Sequence, residues 1–158
     1  MAQTNPIDEM FDKYSEREGF TSVYISEKMF GCLAGDGKTE TGERNLFSKL
    51  KSIRILSVED SLINRSLNFY DELSRKLNPK AYEELMVVRD GKDNTRFLIK
   101  QNGDIITELL MISGGPGNNS LILIRGDLNL KTISEISKNS GISEMNSLED
   151  IEKNNRRK

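Results

Sequence analysis

The sequence predicts an α+β fold: a single domain on a mainly antiparallel sheet of about six strands, with a C-terminal four-strand meander and helices mainly on one face. Three observations carry this. Stretches with period-two apolar alternation crowd the second half of the chain, separated only by short Gly, Asn and Asp turns. Stretches with apolar residues three and four apart stand before them and once after. The length, 158 residues, suits one hydrophobic core.

Asn5-Pro6 followed by Ile7, Met10, Phe11 and Tyr14 predicts the first helix. Proline stands just inside the start, where its missing N–H costs nothing, and the acids Asp8 and Glu9 oppose the positive end of the helix dipole. Gly19 ends it. Phe20-Thr-Ser-Val-Tyr-Ile25 is rich in β-branched and aromatic residues and predicts a strand, after which Ser26-Glu-Lys-Met-Phe30 turns helical. Gly35 to Gly42 holds three glycines and no apolar side chain, and is expected to be a mobile loop. Ser52–Val58 predicts a second strand. Leu62, Ile63, Leu67, Tyr70, Leu73 and Leu77 then trace one helical face up to Asn78-Pro79, where the residue before proline leaves the helical region. Four strands follow, Tyr82–Asp90, Thr95–Gln101, Asp104–Ser113 and Leu121–Asp127, joined at Gly91–Asn94, at Asn102-Gly103 and at Gly114–Asn119. Asn-Gly between apolar alternations is a strong hairpin signal, so these four form the meander. A helix through Leu130, Ile133 and Ile136 closes the domain, which spans 1–151, and 152–158 is expected to be a charged, disordered tail.

Composition narrows the chemistry. The chain has no His, no Trp and one Cys. Triads that need imidazole, zinc sites that need His, and near-neutral histidine switches are therefore absent from the options. Cys32 cannot close an intramolecular disulfide, and its apolar setting, Met29-Phe-Gly-Cys-Leu-Ala34, predicts a buried structural thiol. With 23 basic and 25 acidic residues the net charge is −2, and no basic stripe interleaves with aromatics, so no nucleic-acid partner is expected. The longest apolar runs, four residues as in Leu109–Ile112 and Leu121–Ile124, fall far short of the roughly twenty residues that cross a bilayer, so no transmembrane segment is expected. No charged-then-apolar secretory segment opens the sequence, although Met1–Pro6 also fits a start Met placed on a trimmed chain.

Each candidate motif has a plainer explanation beside it. Gly31-Cys-Leu-Ala-Gly-Asp-Gly-Lys-Thr39 ends like a phosphate-binding loop, but its first glycine is one position too early and no apolar helix follows. Gly114-Gly-Pro-Gly-Asn-Asn119 offers a polar backbone to an anion or a sugar hydroxyl, yet joins two strands with no helix dipole behind it. Asp90-Gly-Lys-Asp-Asn94 gathers oxygen-bearing side chains in one turn without the remaining ligands of a calcium loop. Glu83, Glu84, Glu108 and Asp127 lie in or beside strands, where two facing carboxylates would serve acid and base roles in glycoside cleavage. The bland alternative is a solvent face, with Asp127 starting the last helix. No catalytic, cofactor-binding or metal-binding residue is assigned, and no cofactor is expected.

Phe11-Asp-Lys-Tyr14, Gly19–Ser26, Ile53-Arg-Ile-Leu56, Tyr82–Met86, Arg96-Phe-Leu-Ile-Lys100, Glu108-Leu-Leu-Met111 and Gly126–Ser134 follow one another as in a Bacteroidetes family catalogued as a domain of unknown function, number 4252. The chain resembles that family from Asn5 to Ile151. The resemblance implies a small exported protein of the periplasm or outer membrane, whose relatives usually carry a signal peptide and in part are lipoproteins, and it brings no catalytic residues. Asp60-Ser61-Leu62 also matches the short pattern for O-glycosylation of exported proteins in such bacteria. The function expected is a non-enzymatic binding or interaction module of the bacterial cell envelope, with an envelope protein or glycan as partner. The alternatives are a carboxylate-based hydrolase acting on an envelope polymer and a lipid or small-ligand carrier.

Overall fold

The computed structural model describes residues 5–34 and 48–139. In chain order the elements are α1 (Pro6–Tyr14), β1 (Phe20–Ile25), α2 (Glu27–Ala34), β2 (Leu50–Val58), α3 (Ser61–Ser66), α4 (Phe69–Ser74), β3 (Glu83–Asp90), β4 (Asp93–Asn102), β5 (Ile105–Gly114), β6 (Ser120–Leu128) and α5 (Leu130–Asn139). The strands form one six-stranded sheet in the order β1-β2-β6-β5-β4-β3, antiparallel throughout. This is the α+β architecture that the sequence predicts, meander included. The expected Gly35–Gly42 loop and the 152–158 tail lie outside the described residues.

The meander turns on glycine. Gly91 and Gly103 both have φ of 64°, and each stands first of the two residues between the paired ends Asp90↔Asp93 and Asn102↔Ile105. Positive φ at the first central position is what a type II′ turn requires. In the second hairpin the turn is therefore Gly103-Asp104, with Asn102 already in the strand, not Asn-Gly at its centre. The sheet then grows by a long connection, because β6 pairs on its far side with β2 (Ser57↔Ser120 through Ile53↔Ile124).

The helices, expected mainly on one face, cover both faces of the sheet. On one, α1, α3 and α4 cover Leu56, Leu98, Leu110, Ile112, Leu121 and Leu123, and Ile7, Phe11, Phe69 and Leu73 are at most barely exposed. On the other, Phe30 of α2 and Ile133 of α5 pack over Phe97, Ile99, Leu109, Met111, Ile122 and Ile124. Neighbouring residues of β5 and β6 thus belong to opposite layers. Strands buried on both sides need apolar residues at every position, which accounts for the runs Leu109–Ile112 and Leu121–Ile124.

The helical face expected from Leu62 to Leu77 is two short helices. Leu67 is extended (φ −118°, ψ 154°), and Asn68 caps α4 by accepting from the Asp71 N–H at 3.0 Å. Asp60 caps α3, accepting from Leu62 and Ile63 N–H at 2.8 and 3.1 Å. The side-chain oxygens compete locally with helical hydrogen bonding and break the run. Leu62 is consequently 70% exposed and lies outside the core. The last helix starts at Asn129, whose side chain accepts from Thr132 N at 2.8 Å; Asp127, the residue expected to start it, is exposed at the end of β6.

One buried amide joins these pieces. Asn119 is fully buried. Its Oδ1 accepts from Phe69 N at 2.9 Å and Gly115 N at 3.4 Å, and its Nδ2 donates to Gly115 O at 2.8 Å and to Asn64 O and Oδ1 at 3.1 Å. Asn64 Nδ2 donates to Val58 O at 3.2 Å, and Val58 N donates to the Asn119 carbonyl at 3.1 Å. A substitution Asn119→Ala strips partners from the buried Phe69 N–H and from Asn64, and should cost about 3 kcal/mol. Urea denaturation should show this as a lower midpoint with an unchanged slope. A loss below about 1 kcal/mol would mean that the amide is not the tie described.

Candidate functional site

The face beneath α1 carries a chain of charges. Arg125 on β6 stands directly across from Glu108 on β5, and Arg54 stands across from Leu123, two residues along the same face of β6. Arg125 Nε donates to Glu108 Oε1 at 3.1 Å, and the Tyr82 hydroxyl donates to Glu108 Oε2 at 2.6 Å. From α1, Asp8 accepts from Arg54 Nη1 at 3.0 Å and lies 3.9 Å from Arg125 Nη2, while Asp12 lies 3.9 Å from Arg54 Nη2. The Arg54 guanidinium also sits 4.3 Å over the centre of the Phe11 ring. Asp8 and Asp12 are one helical turn apart, so both reach the same pair of strands.

A backbone irregularity helps set this arrangement. The ladders on both sides of β5 slip between Ile106 and Glu108. Without an extra residue there, Ile106 and Glu108 would share a face, since side chains alternate with period two. Instead Ile106 packs with the α2 and α5 layer while Glu108 faces α1. Its side chain is only 13% exposed.

Beside this network lies an open groove of about 500 Å³. The start of α1 (Asn5, Pro6), the segment after α4 (Lys76 to Asn78, with Ala81 and Tyr82) and Lys100 of β4 line it. Tyr82 separates it from a recess of about 230 Å³ that reaches Glu84, Arg96 and Leu98. In that recess Arg96 donates to Ser74 Oγ at 3.1 Å and to Glu84 Oε2 at 2.9 Å, and its buried Nε has no partner among the described residues. The groove wall is fastened by Glu72 of α4, which accepts from Lys13 Nζ and from the Tyr14 hydroxyl, each at 2.9 Å.

The four carboxylates singled out in the sequence do not converge. Glu83 and Glu84 are successive on β3, and both are exposed. Glu84 and Glu108 share a face but lie two strands and two residues apart, roughly 12 Å between Cα atoms. Each is held by its own arginine. Asp127 is exposed beyond them. Cys32, expected to be buried, is exposed. α2 offers the sheet only one face, occupied by the buried Phe30, so Met29, Gly31 and Cys32 face out. Of the phosphate-loop-like segment only Gly31–Ala34 is described, within α2; the remainder, 35–39, lies outside the described residues. The Asp90–Asn94 turn and the Gly114–Asn119 loop serve each other, with Asp93 Oδ1 accepting from Gly117 N at 3.0 Å. Asp60 of Asp60-Ser61-Leu62 is the α3 cap, and Ser61 is exposed.

Sequence reading passed over Arg54, Arg96 and Arg125. Their signal is a lone arginine inside an otherwise apolar alternation, as in Ile53-Arg-Ile55, on the face that a helix covers. The family model of a domain of unknown function, DUF4252, matches residues 14–136. No curated protein and no solved structure matches the chain.

Burial and then the hydrogen bond to Glu108 push the Tyr82 phenol far above its ordinary value. A raised value stabilises the fold below the unfolded tyrosine pKa of about 10, and that stabilisation is lost as pH rises beyond it. Tyr82→Phe should flatten the alkaline fall in unfolding free energy and remove a late phenol from the tyrosinate absorbance titration. At Glu72 burial pushes the carboxyl up, but the hydrogen bonds from Lys13 and Tyr14 outweigh it and leave the value lowered. Its contribution is present above the unfolded glutamate pKa of about 4.3 and is lost as pH falls through the folded value. Glu72→Gln should therefore make the acid limb of stability against pH shallower; an unchanged limb would contradict the pairing.

Proposed function

This chain belongs to the DUF4252 family, and we propose that it acts as a non-enzymatic binding module of the bacterial cell envelope, in a Bacteroidetes cell. The observation that supports this reading is the chemistry of the groove beside Tyr82. Asn5 and Asn78 both spend their side-chain carbonyl oxygens on neighbouring N–H groups, Ile7 at 2.9 Å and Lys80 at 3.0 Å. The Tyr82 hydroxyl donates its hydrogen bond to Glu108. What the groove still offers are amide N–H donors from Asn5 and Asn78 and the ammonium groups of Lys76 and Lys100. Lys100 makes no ion pair among the described residues and sits 5.9 Å from the centre of the Tyr82 ring. Pro6, Leu77 and Ala81 add apolar wall. A partner suited to this lining presents acceptor oxygens with negative charge, on an envelope glycan or protein, and the volume is within the range of small-ligand sites.

The hydrolase alternative requires two carboxylates on either side of one bond, and the pair on a common face, Glu84 and Glu108, is committed to separate arginines. Calorimetric titration with an acidic oligosaccharide, its neutral counterpart and an acidic peptide tests the reading. One of the two acidic ligands should bind and the neutral sugar should not, and Lys100→Glu should weaken binding about tenfold, the loss of one charge-assisted contact. Equal binding of neutral and acidic sugar, cleavage of the polymer, or an unaffected Lys100→Glu variant would overturn the proposal. So would recovery of the native protein in the cytosol on cell fractionation.

A further inference from the structure

β1 forms one edge of the sheet, and the hydrogen-bond phase of its neighbour decides which of its groups are open. Glu59 N donates to Gly19 O at 2.8 Å, whereas Val58 N donates to Asn119 O at 3.1 Å on the opposite side. Backbone groups alternate sides along a strand. In the register Phe20↔Val58 to Ile25↔Ile53, the groups of Thr21, Val23 and Ile25 are therefore spent on β2. Those of Ser22 and Tyr24 point away from the sheet. Phe20 N is taken by Arg17 O at 3.3 Å. Among the described residues, the open edge reduces to the N–H and C=O of Ser22 and Tyr24, with the carbonyl of Phe20 beside them.

This edge lacks the usual protection. Sheet edges are normally blunted by charged residues, proline or bulges. The opposite edge, β3, carries Glu83, Glu84, Arg89 and Asp90 and a register slip between Glu84 and Met86. β1, Phe-Thr-Ser-Val-Tyr-Ile, has no charge, no proline and an unbroken register, with Tyr24 66% and Val23 38% exposed.

We propose that β1 is a self-association edge: two copies of the chain pair their β1 strands antiparallel about a two-fold axis at Val23, joining two sheets into one. In this register Ser22 of one copy faces Tyr24 of the other, and the two N–H groups from each copy close hydrogen bonds with the carbonyls opposite. Every outward N–H and C=O of Ser22 and Tyr24 is then satisfied. Val23 meets Val23 across the axis, and Thr21 lies beside Ile25. A closed two-fold contact of this kind consumes both free edges and stops there.

Sedimentation and light scattering over a concentration series should show a dimer. Ser22→Pro removes an outward N–H and leaves the β1–β2 ladder intact, since proline is tolerated on the open side of an edge strand; it should be monomeric with an unchanged circular dichroism spectrum. Tyr24→Lys should do the same by placing charge on the edge. In a Cys32→Ser background, Val23→Cys should form a disulfide-linked dimer on mild oxidation, because opposed residues at a non-hydrogen-bonded site have Cα atoms about 4.5 Å apart. A chain that stays monomeric at NMR concentrations and gives no Val23→Cys crosslink would overturn the proposal. A dimer that survives both edge substitutions would also overturn it, by placing association elsewhere, and heterologous crosslinking of Val23→Cys only to an added extended peptide would assign the edge to a different occupant.

Discussion

The Asn119 amide is the constraint on which the arrangement of helices over the sheet depends. α3 and α4 have only six residues each, too few to persist as helices in water without tertiary support. Phe69 N, one of the unpaired donors at the start of α4, is satisfied by a side chain fifty positions away in sequence. The same side chain holds Asn64 in α3 and the backbone of Gly115. Because the amide is fully buried, each bond acts where the alternative is an unpaired polar group without water, and the cost of displacement is correspondingly high. Gly114 completes the fit: a side chain there would collide with Tyr70 N and Asn68 Oδ1, so the loop approaches α4 as closely as a backbone without Cβ permits.

That packing sets the position of the groove. α4 carries Glu72, which fastens α1 through Lys13 and Tyr14, and α1 in turn brings Asp8 to the two strand arginines. The segment leaving α4 must then cross to β3 over the end of β4, and this crossing brings Tyr82 to Glu108. The polar network is a consequence of where the helices can sit, and its members are spread over α1, β2, β5, β6 and the approach to β3. Partly exposed ion pairs of this sort contribute little stability individually. Their effect is on geometry: they fix the side chains that border the groove and consume the carboxylates around it.

Elements with strong local signals were legible in the sequence. Asn5-Pro6 and the three-and-four spacing located α1, and the glycine turns located the β3–β6 meander, because capping and turn chemistry depend on neighbours in the chain. The break at Leu67–Asn68 was not legible, since the apolar period continues through it and only the hydrogen bond from Asp71 N to Asn68 shows that the asparagine caps. Exposure of Cys32 was hidden for a related reason: an apolar neighbourhood in sequence says nothing of which side a short helix turns to the sheet. The candidate site was the least legible part. Glu108 could be singled out as a carboxylate on a strand, but its partners Tyr82 and Arg125 lie 26 and 17 positions away, and their meeting depends on strand order and on the slip at Ile106, neither of which has a local signature.

The β2–β6 seam bears on the order in which the protein assembles. Strands β3 to β6 form from hairpins between successive segments, whereas Ser57 must find Ser120, 63 positions further along the chain. Contacts so distant in sequence are slow to form, since a long loop is closed before they are gained. The β1–β2 pair can form without β6, and one side of β2 then stays unpaired until β6 joins it. The Asn119 tie is only available at that same moment, so pairing of the seam and docking of α3 and α4 become one late, cooperative event in the maturation of the chain.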